Sequence, residues 1–326
     1  MEPHITDLKK AFGDRFKEHE PLARYTTFKI GGPADYFFDA KTREEFMTAV
    51  SLGRKAKLPI FILGGGTNVL IGDKGIRAFV IRNSTQGISI RGVKGTMESG
   101  STTRTVFVEV DAGVPMNKFV RFTIEEGLSG IEMQLGLPGS VGGAVFMNSK
   151  WTKPEGNVGD VVYQATIVTP EGEVRQVSRD YFHFAYDYSA LQKTGDIVVS
   201  VTFALLQKEK DKLWEVANSS ISYRRETQPQ GVLSAGCTFK NISKATALTA
   251  STPNLSTSAG FLVDNAGLKG YRIGDAQISE KHANFIINLK NAKAADVVEL
   301  IEKARKAVRE KFGVELEEEI VRVGEF

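Results

Sequence analysis

The chain has 326 residues, 41% hydrophobic and 25% charged, and its 42 basic and 39 acidic side chains leave a net charge of +3. These values are those of an ordinary globular protein too long for one core, and the near-balance of charge gives no reason to invoke nucleic acid or a membrane surface. A single cysteine, Cys237, excludes an internal disulfide framework and a thiolate zinc cage, so no metal site is expected. The first residues, Met1-Glu-Pro-His-Ile, lack the apolar stretch of a signal peptide. No segment reaches the roughly 18 apolar residues of a membrane span, and a cytoplasmic address is expected.

Thr42-Arg-Glu-Glu45 is a capping box that opens a helix with Phe46, Val50 and Leu52 as its apolar positions. That helix is expected to end near Lys57, and 58–63 reads as a buried strand. Gly64-Gly-Gly-Thr-Asn68 follows, then a second apolar run over 69–71. Strands are expected at 78–82 and 105–110, and a helix over 115–126 with Met116, Phe119, Val120 and Ile124 on one face. A second glycine cluster, Gly136-Leu-Pro-Gly-Ser-Val-Gly-Gly-Ala144, precedes strands at 161–169, 174–177 and 197–206. Residues 211–232 are polar and begin as a helix, which places a domain boundary near 208–212.

Residues 241–258 carry eight Ser or Thr among 18 and read as an exposed loop. The clearest helix covers 292–312, with Val297, Ile301, Ala304 and Val308 inward and Gly313 placed to stop it. There is no internal repeat. The order is mixed α+β, not a clean alternation of βαβ units.

Neither glycine cluster has the spacing of the dinucleotide fingerprint or the Lys-Ser/Thr ending of a P-loop. Both follow apolar segments, and their small residues let successive amides approach an anion, five over 64–68 and five over 139–143. Either cluster alone is more simply a tight turn. Together they suit the two phosphates of one dinucleotide. The lone cysteine lies in Ser234-Ala-Gly-Cys-Thr-Phe-Lys-Asn241. Such a residue is usually a small buried hydrophobe, but Gly236 and Lys240 suit a polar site better than a core.

Seven motifs in order carry a resemblance: Tyr25-Thr-Thr-Phe-Lys-Ile-Gly-Gly-Pro-Ala-Asp35, Leu63-Gly-Gly-Gly-Thr-Asn-Val-Leu70, the 136–144 cluster, the 234–241 stretch, Asp264-Asn-Ala-Gly-Leu-Lys-Gly270, His282-Ala-Asn-Phe-Ile-Ile-Asn288 and Gly313-Val-Glu-Leu-Glu-Glu-Glu-Ile320. Over about residues 25–324 the chain resembles the UDP-N-acetylenolpyruvoylglucosamine reductases. It lacks the inserted tyrosine-bearing loop of one subgroup and so resembles the shorter, second type. The resemblance implies an α+β protein: an FAD-binding fold of the vanillyl-alcohol-oxidase/PCMH type with two subdomains, and an α+β substrate-binding domain that closes over substrate. The expected segments are 1–72 and 73–210 for the FAD subdomains, 211–318 for the substrate domain, and 319–326 for a C-terminal piece carrying a catalytic glutamate.

The activity implied is NADPH-dependent reduction of the enolpyruvyl ether of UDP-N-acetylglucosamine to UDP-N-acetylmuramate through FAD. That step belongs to peptidoglycan precursor synthesis, and so to cell-wall growth and division. Gly64, Gly65, Gly66, Thr67, Asn68 and Leu70, with Pro138, Gly139, Ser140, Gly142, Gly143 and Ala144, match the family's FAD-binding positions. Cys237 stands at the proton-donor position, where serine is usual. A thiol with an ordinary pKa of about 8.5 is protonated at neutral pH yet more acidic than an alcohol. Glu319 matches the glutamate expected beside the developing enolate, although the residues alone do not separate it from Glu317 and Glu318. Tyr186, Arg224 or Arg225, Lys240 and Asn241 match substrate-binding positions, where cations would grip a carboxylate or diphosphate. His282 matches a common family histidine and reads as structural.

Asp187 departs from the pattern: it stands where an arginine usually follows the tyrosine, an anion beside a developing enolate. Arg179 is a candidate replacement for that cation. Thr227 replaces a common lysine, and 241–258 is longer than the usual link. These departures keep two other readings open. One is a same-fold FAD oxidase or dehydrogenase for another substrate; the other is a non-catalytic flavin or sugar-nucleotide binder.

Overall fold

The computed structural model describes residues 3–98 and 101–326. The chain divides into two units, each assembled from three separate stretches. Unit 1 takes Met1–Lys17, Tyr36–Gly65 and Ala78–Arg224, and unit 2 takes Glu18–Asp35, Gly66–Arg77 and Arg225–Phe326. The crossing between Gly65 and Gly66 therefore falls inside the first glycine cluster.

The larger sheet of unit 1 runs Val174–Ser178, Val162–Val168, Ile197–Gln207, Ser101–Asp111, Ile88–Glu98, antiparallel throughout. Leu128–Ser129 pairs with the end of Ile197–Gln207. Ile88–Glu98 is a strand that the sequence did not announce, because Gly92 and Gly95 interrupt its pattern. The pairing shifts register between Ile90 and Gly92, where Arg91 is the extra residue of a bulge. Helix Met116–Glu125 buries Met116, Phe119, Val120 and Ile124 as their spacing predicts. Helices Val141–Met147 and Lys210–Thr227 add Val141, Ala144, Val145, Leu213 and Ala217 to the same core.

A second core in unit 1 gathers Phe38, Phe46, Val50 and Phe79 with Val168 and Val199. Helix Arg43–Lys55 starts where Thr42 Oγ accepts from Glu45 N at 3.2 Å, the cap foreseen from the sequence. Beside it, Ile60–Leu63 runs parallel to Ile76–Asn83, from Ile60 opposite Phe79 to Leu63 opposite Arg82.

Unit 2 packs helix Ala294–Phe312, through Val297, Leu300, Ile301, Ala304 and Val308, into one core with residues of the strands Ala276–Ile278 and Ile286–Asn288. The Asp73 carboxylate accepts from Ala294 N and Ala295 N at 2.9 and 3.1 Å, placing a negative charge at the positive end of that helix. Gly313 ends it at φ 67°. Strand Val69–Ile71 pairs in parallel with Val321–Val323.

The segment 241–258 corrects the expectation of a plain loop. It contains helix Lys244–Thr249, whose first turn is capped by Ser243 Oγ accepting from Thr246 N at 3.0 Å. The Ser and Thr that read as loop composition here supply a helix cap. Among the described residues no helix is long and apolar enough to cross a membrane.

Candidate active site

In unit 1, strand Ile60–Leu63 delivers Gly64 against Ser140, the residue that caps helix Val141–Met147. A β-carbon at Gly64 would lie 2.3 Å from Ser140 Oγ, so the two glycine clusters meet where only glycine fits. Three of the five amides expected from the second cluster are committed to the turn itself. Val141 N and Gly142 N donate to Val114 O and Ala112 O at 2.9 and 2.8 Å, and Gly143 N donates to Ser140 Oγ at 3.4 Å. Gly139 and Ser140 remain, along with the amides of 64–68, none of which enters a backbone–backbone hydrogen bond among the described residues. At exposed Gly143 a β-carbon would come no closer than 3.5 Å to another protein atom. Uncommitted backbone amides of this kind are the groups that bind phosphate oxygens. Pro138 is exposed, whereas the Ala144 and Leu70 side chains are buried in the cores of units 1 and 2, so these two serve through backbone or packing.

Unit 2 brings Cys237 and Glu319 onto neighbouring extended segments. On one side of 237–240, Cys237 bridges Phe285, and Thr238 N donates to Asn284 O at 2.7 Å. The Asn284 side chain then grips the Phe239 backbone twice: Nδ2 donates to its carbonyl at 2.8 Å, and Oδ1 accepts from its amide at 2.9 Å. On the other side, Glu319 N donates to Thr238 O and Lys240 N to Glu317 O, both at 2.8 Å. Ala235 and Phe239 enter the apolar core of this unit; Cys237 is half-buried and stands outside it.

The end of the first glycine cluster reaches the same ladder. Asn68 Nδ2 donates to Glu319 O at 3.1 Å, Val321 N donates to Asn68 O at 2.9 Å, and Thr67 O would lie 4.0 Å from a β-carbon at Gly236. Asn68 thus uses its side chain to hold the Glu319 backbone.

The three glutamates, indistinguishable in sequence, separate here. Arg322 binds both Glu318 oxygens at 2.7 Å and Arg305 adds a third contact at 2.7 Å, which makes Glu318 a mostly buried structural anion. Glu317 is 80% exposed and meets Lys240 Nζ at 3.7 Å. Glu319 is half-buried on the Thr238 side of the ladder. Asn241 is exposed, and its Oδ1 accepts from Ala259 N at 3.1 Å, at the start of helix Ala259–Asn265. His282 Nδ1 accepts from Asn284 N at 3.2 Å; burial first, then the charge of Lys269, lowers the pKa of its imidazole. A neutral acceptor behind Asn284 is the structural role expected for it.

The remaining substrate candidates are Tyr186 and Arg224 in unit 1 and Arg225 in unit 2. Ala185 and Tyr188 exchange backbone hydrogen bonds at 3.1 and 3.3 Å, so Tyr186 and Asp187 form a two-residue turn. Asp187 has φ 49°, a left-handed conformation that a short polar side chain tolerates better than arginine does. The turn is stitched to the end of helix Val141–Met147: Asn148 Nδ2 donates to Ala185 O, Ser189 Oγ to Phe146 O, and Gln192 Nε2 to Asp187 O, at 2.9, 2.7 and 3.0 Å. Lys150 Nζ lies 3.4 Å from the centre of the Tyr186 ring, a cation–π contact on the turn. Arg179 donates to Gly159 O at 2.8 Å. The Arg224 guanidinium lies over Trp151 at 4.3 Å, while Arg225 is exposed and its carbonyl accepts from Lys281 Nζ at 2.6 Å.

Sequence reasoning passed over Asn284, Lys150 and Trp151. Asn284 had a signal, a polar residue inside the otherwise apolar run Ala283–Ile287; the other two had none. Among the described residues no group of three or more His, Cys, Asp or Glu could hold a metal ion.

Residues 34–178 match the FAD binding domain family, which makes the chain a flavoprotein by class. Residues 228–323 match the UDP-N-acetylenolpyruvoylglucosamine reductase C-terminal domain. The reductase of Agathobacter rectalis is 37% identical over 95% of this chain and 94% of its own, and reductase 1 of Bacillus anthracis is 37% identical over 99% and 100%. The crystal structure of the Thermus caldophilus reductase superposes with a TM-score of 0.73 at 33% identity, covering 94% of this chain and 98% of that one. The chain belongs to the UDP-N-acetylenolpyruvoylglucosamine reductase family.

Proposed function

We propose that this protein reduces the enolpyruvyl ether of UDP-N-acetylglucosamine to UDP-N-acetylmuramate at the expense of NADPH, supplying a peptidoglycan precursor in the cytoplasm. When bound, FAD would supply the hydride-transfer chemistry that links NADPH to the terminal vinyl carbon of the substrate. The amides of 64–68, Gly139 and Ser140 hold the cofactor's diphosphate. Once the vinyl carbon gains hydride, the neighbouring carbon bears negative charge delocalised into the carboxylate. The Cys237 thiol donates its proton to that carbon, and the thiolate recovers one from solvent. Glu319, in its protonated form, donates a hydrogen bond to the charged carboxylate as the charge builds, the moment at which such a bond contributes most to rate. Arg224, Tyr186 and Lys240 orient the anionic ends of the substrate.

The observation that carries this reading is the unit 2 ladder, in which the Asn68 side chain holds the Glu319 backbone and Glu319 N pairs with the carbonyl of Thr238, the residue after Cys237. It accounts for all three motifs at once, and neither the oxidase nor the simple-binder reading requires it. The test is NADPH consumption by purified FAD-loaded protein. Beyond the one equivalent that reduces the flavin, absorbance at 340 nm should fall only when the enolpyruvyl sugar nucleotide is added, and protein that stays inert to it overturns the proposal.

A further inference from the structure

Arg224 occupies an unusual place on its helix. Leu213, Ala217 and Ser220 are the buried residues of Lys210–Thr227, and the same four-three spacing continues to 224, where an arginine stands on the inward stripe. Its neighbours Trp151 and Gly136 belong, like it, to unit 1. The guanidinium carbon lies 4.3 Å from the centre of the Trp151 ring. On the side of the chain entering the second glycine cluster, a β-carbon at Gly136 would lie 2.8 Å from Arg224 Cδ and 3.1 Å from Nε. Trp151 is itself fixed: it is 5% exposed, its indole N–H donates to Lys153 O at 2.8 Å, and Tyr223 packs edge-on against it at 5.9 Å.

A flexible arginine loses rotamer freedom when immobilised, so a slot that fixes it beforehand spares a ligand that cost. We propose that Trp151 and Gly136 are positioning residues that hold the Arg224 guanidinium flat as a clasp for an anionic group of the substrate, phosphate or carboxylate. This rests on the reading given under the proposed function. It also separates two arginines that the sequence left equivalent, since among the described residues no ring contact is found at exposed Arg225. An arginine serving only to pack the helix end would affect stability and leave substrate affinity alone.

The test splits KM from kcat in FAD-loaded protein. Trp151→Leu should raise KM for the enolpyruvyl sugar nucleotide about fivefold to tenfold, the scale of a partly desolvated cation–π contact. The rate of flavin bleaching by NADPH in stopped flow should not change. Trp151→Phe, which keeps an aromatic face, should restore KM to within about twofold. Should Trp151→Leu fail to fold, Arg224→Lys keeps the slot and the charge but not the planar fork, and should raise KM similarly. A wild-type KM in the leucine and lysine variants overturns the inference while leaving the parent reading intact. A parallel loss of flavin reduction or flavin content also overturns it, as a structural effect. Wild-type protein that turns over no enolpyruvyl sugar nucleotide defeats the parent reading, and the inference with it.

Discussion

At Gly64 and Ser140 the working surface is backbone, and what matters is the absence of atoms: a single methyl group would strike Ser140 Oγ. Along 237–240 the working surface is side chains, and what matters is their presence at a set register between Asn284 on one flank and Glu317–Glu319 on the other. The first region should break on addition and the second on removal. The two losses should be separable, one in cofactor content and the other in the second half of the reaction.

The largest expected effect lies in the ladder. Cys237→Ala should leave flavin reduction by NADPH intact and slow oxidation of the reduced flavin by the enolpyruvyl sugar nucleotide by about 10² to 10⁴, the usual range for losing a general acid. Cys237→Ser should keep part of that rate. Slowed flavin reduction in the alanine variant would show that the thiol has been given the wrong role. Glu319→Gln should reduce the same step by about 10² to 10³, as removal of a charge-stabilising group does, whereas Glu317→Gln should stay within about twofold because its surface pair with Lys240 is weak.

Gly64→Ala sharpens the other side of the comparison. Overpacking of about 1–3 kcal/mol at the Ser140 contact should lower FAD occupancy severalfold or more, read from the ratio of 450 to 280 nm absorbance. Full yellow colour in that variant would mean that the two clusters do not need their close approach.

Glu318→Gln should cost stability by about 1–3 kcal/mol, because it leaves Arg305 and Arg322 facing a neutral amide in a partly buried site. A thermal melt would show the drop. Normal flavin content alongside it would mark Glu318 as part of the frame and not of the chemistry.

The smallest effect is electrostatic. Hydrogen bonding from Arg15, foremost among several causes, lowers the Glu45 carboxyl from 4.5 to about 2. A depressed carboxyl stabilises the fold fully above its unfolded value and loses that contribution as pH falls through the folded one. Acid unfolding between about pH 4.5 and 2 should therefore be shallower in Glu45→Gln. The contribution should stay under about 1 kcal/mol and shrink in salt, because Arg15 is half exposed. An unchanged acid limb would remove the pair from the account of stability.

Much of this was legible from residue order. Thr42 capped its helix, the apolar spacing of 116–124 and 297–308 placed both faces inward, and the ordered motifs led to the family. What misled was composition. Ser and Thr over 241–258 read as loop although Ser243 caps a helix, and Gly92 and Gly95 hid a strand whose partner supplies the order. Asp187 looked like a fault in a catalytic position. A left-handed turn residue explains why a short acid stands there, with Lys150 over the adjacent ring.

By itself the sequence determined where helices begin and end, which faces are apolar and which family carries these motifs, because spacing, caps and motif order are local properties of the chain. Only the tertiary structure decided which of three consecutive glutamates is braced as a structural anion and which stands beside Thr238, which arginine is held in a slot, and which glycine amides remain for a ligand. Each of those outcomes depends on a partner far away in sequence, such as Arg322 and Arg305 for Glu318, Trp151 for Arg224 and Ala112 for Gly142. Pairing energies of that kind exist only once the chain has folded.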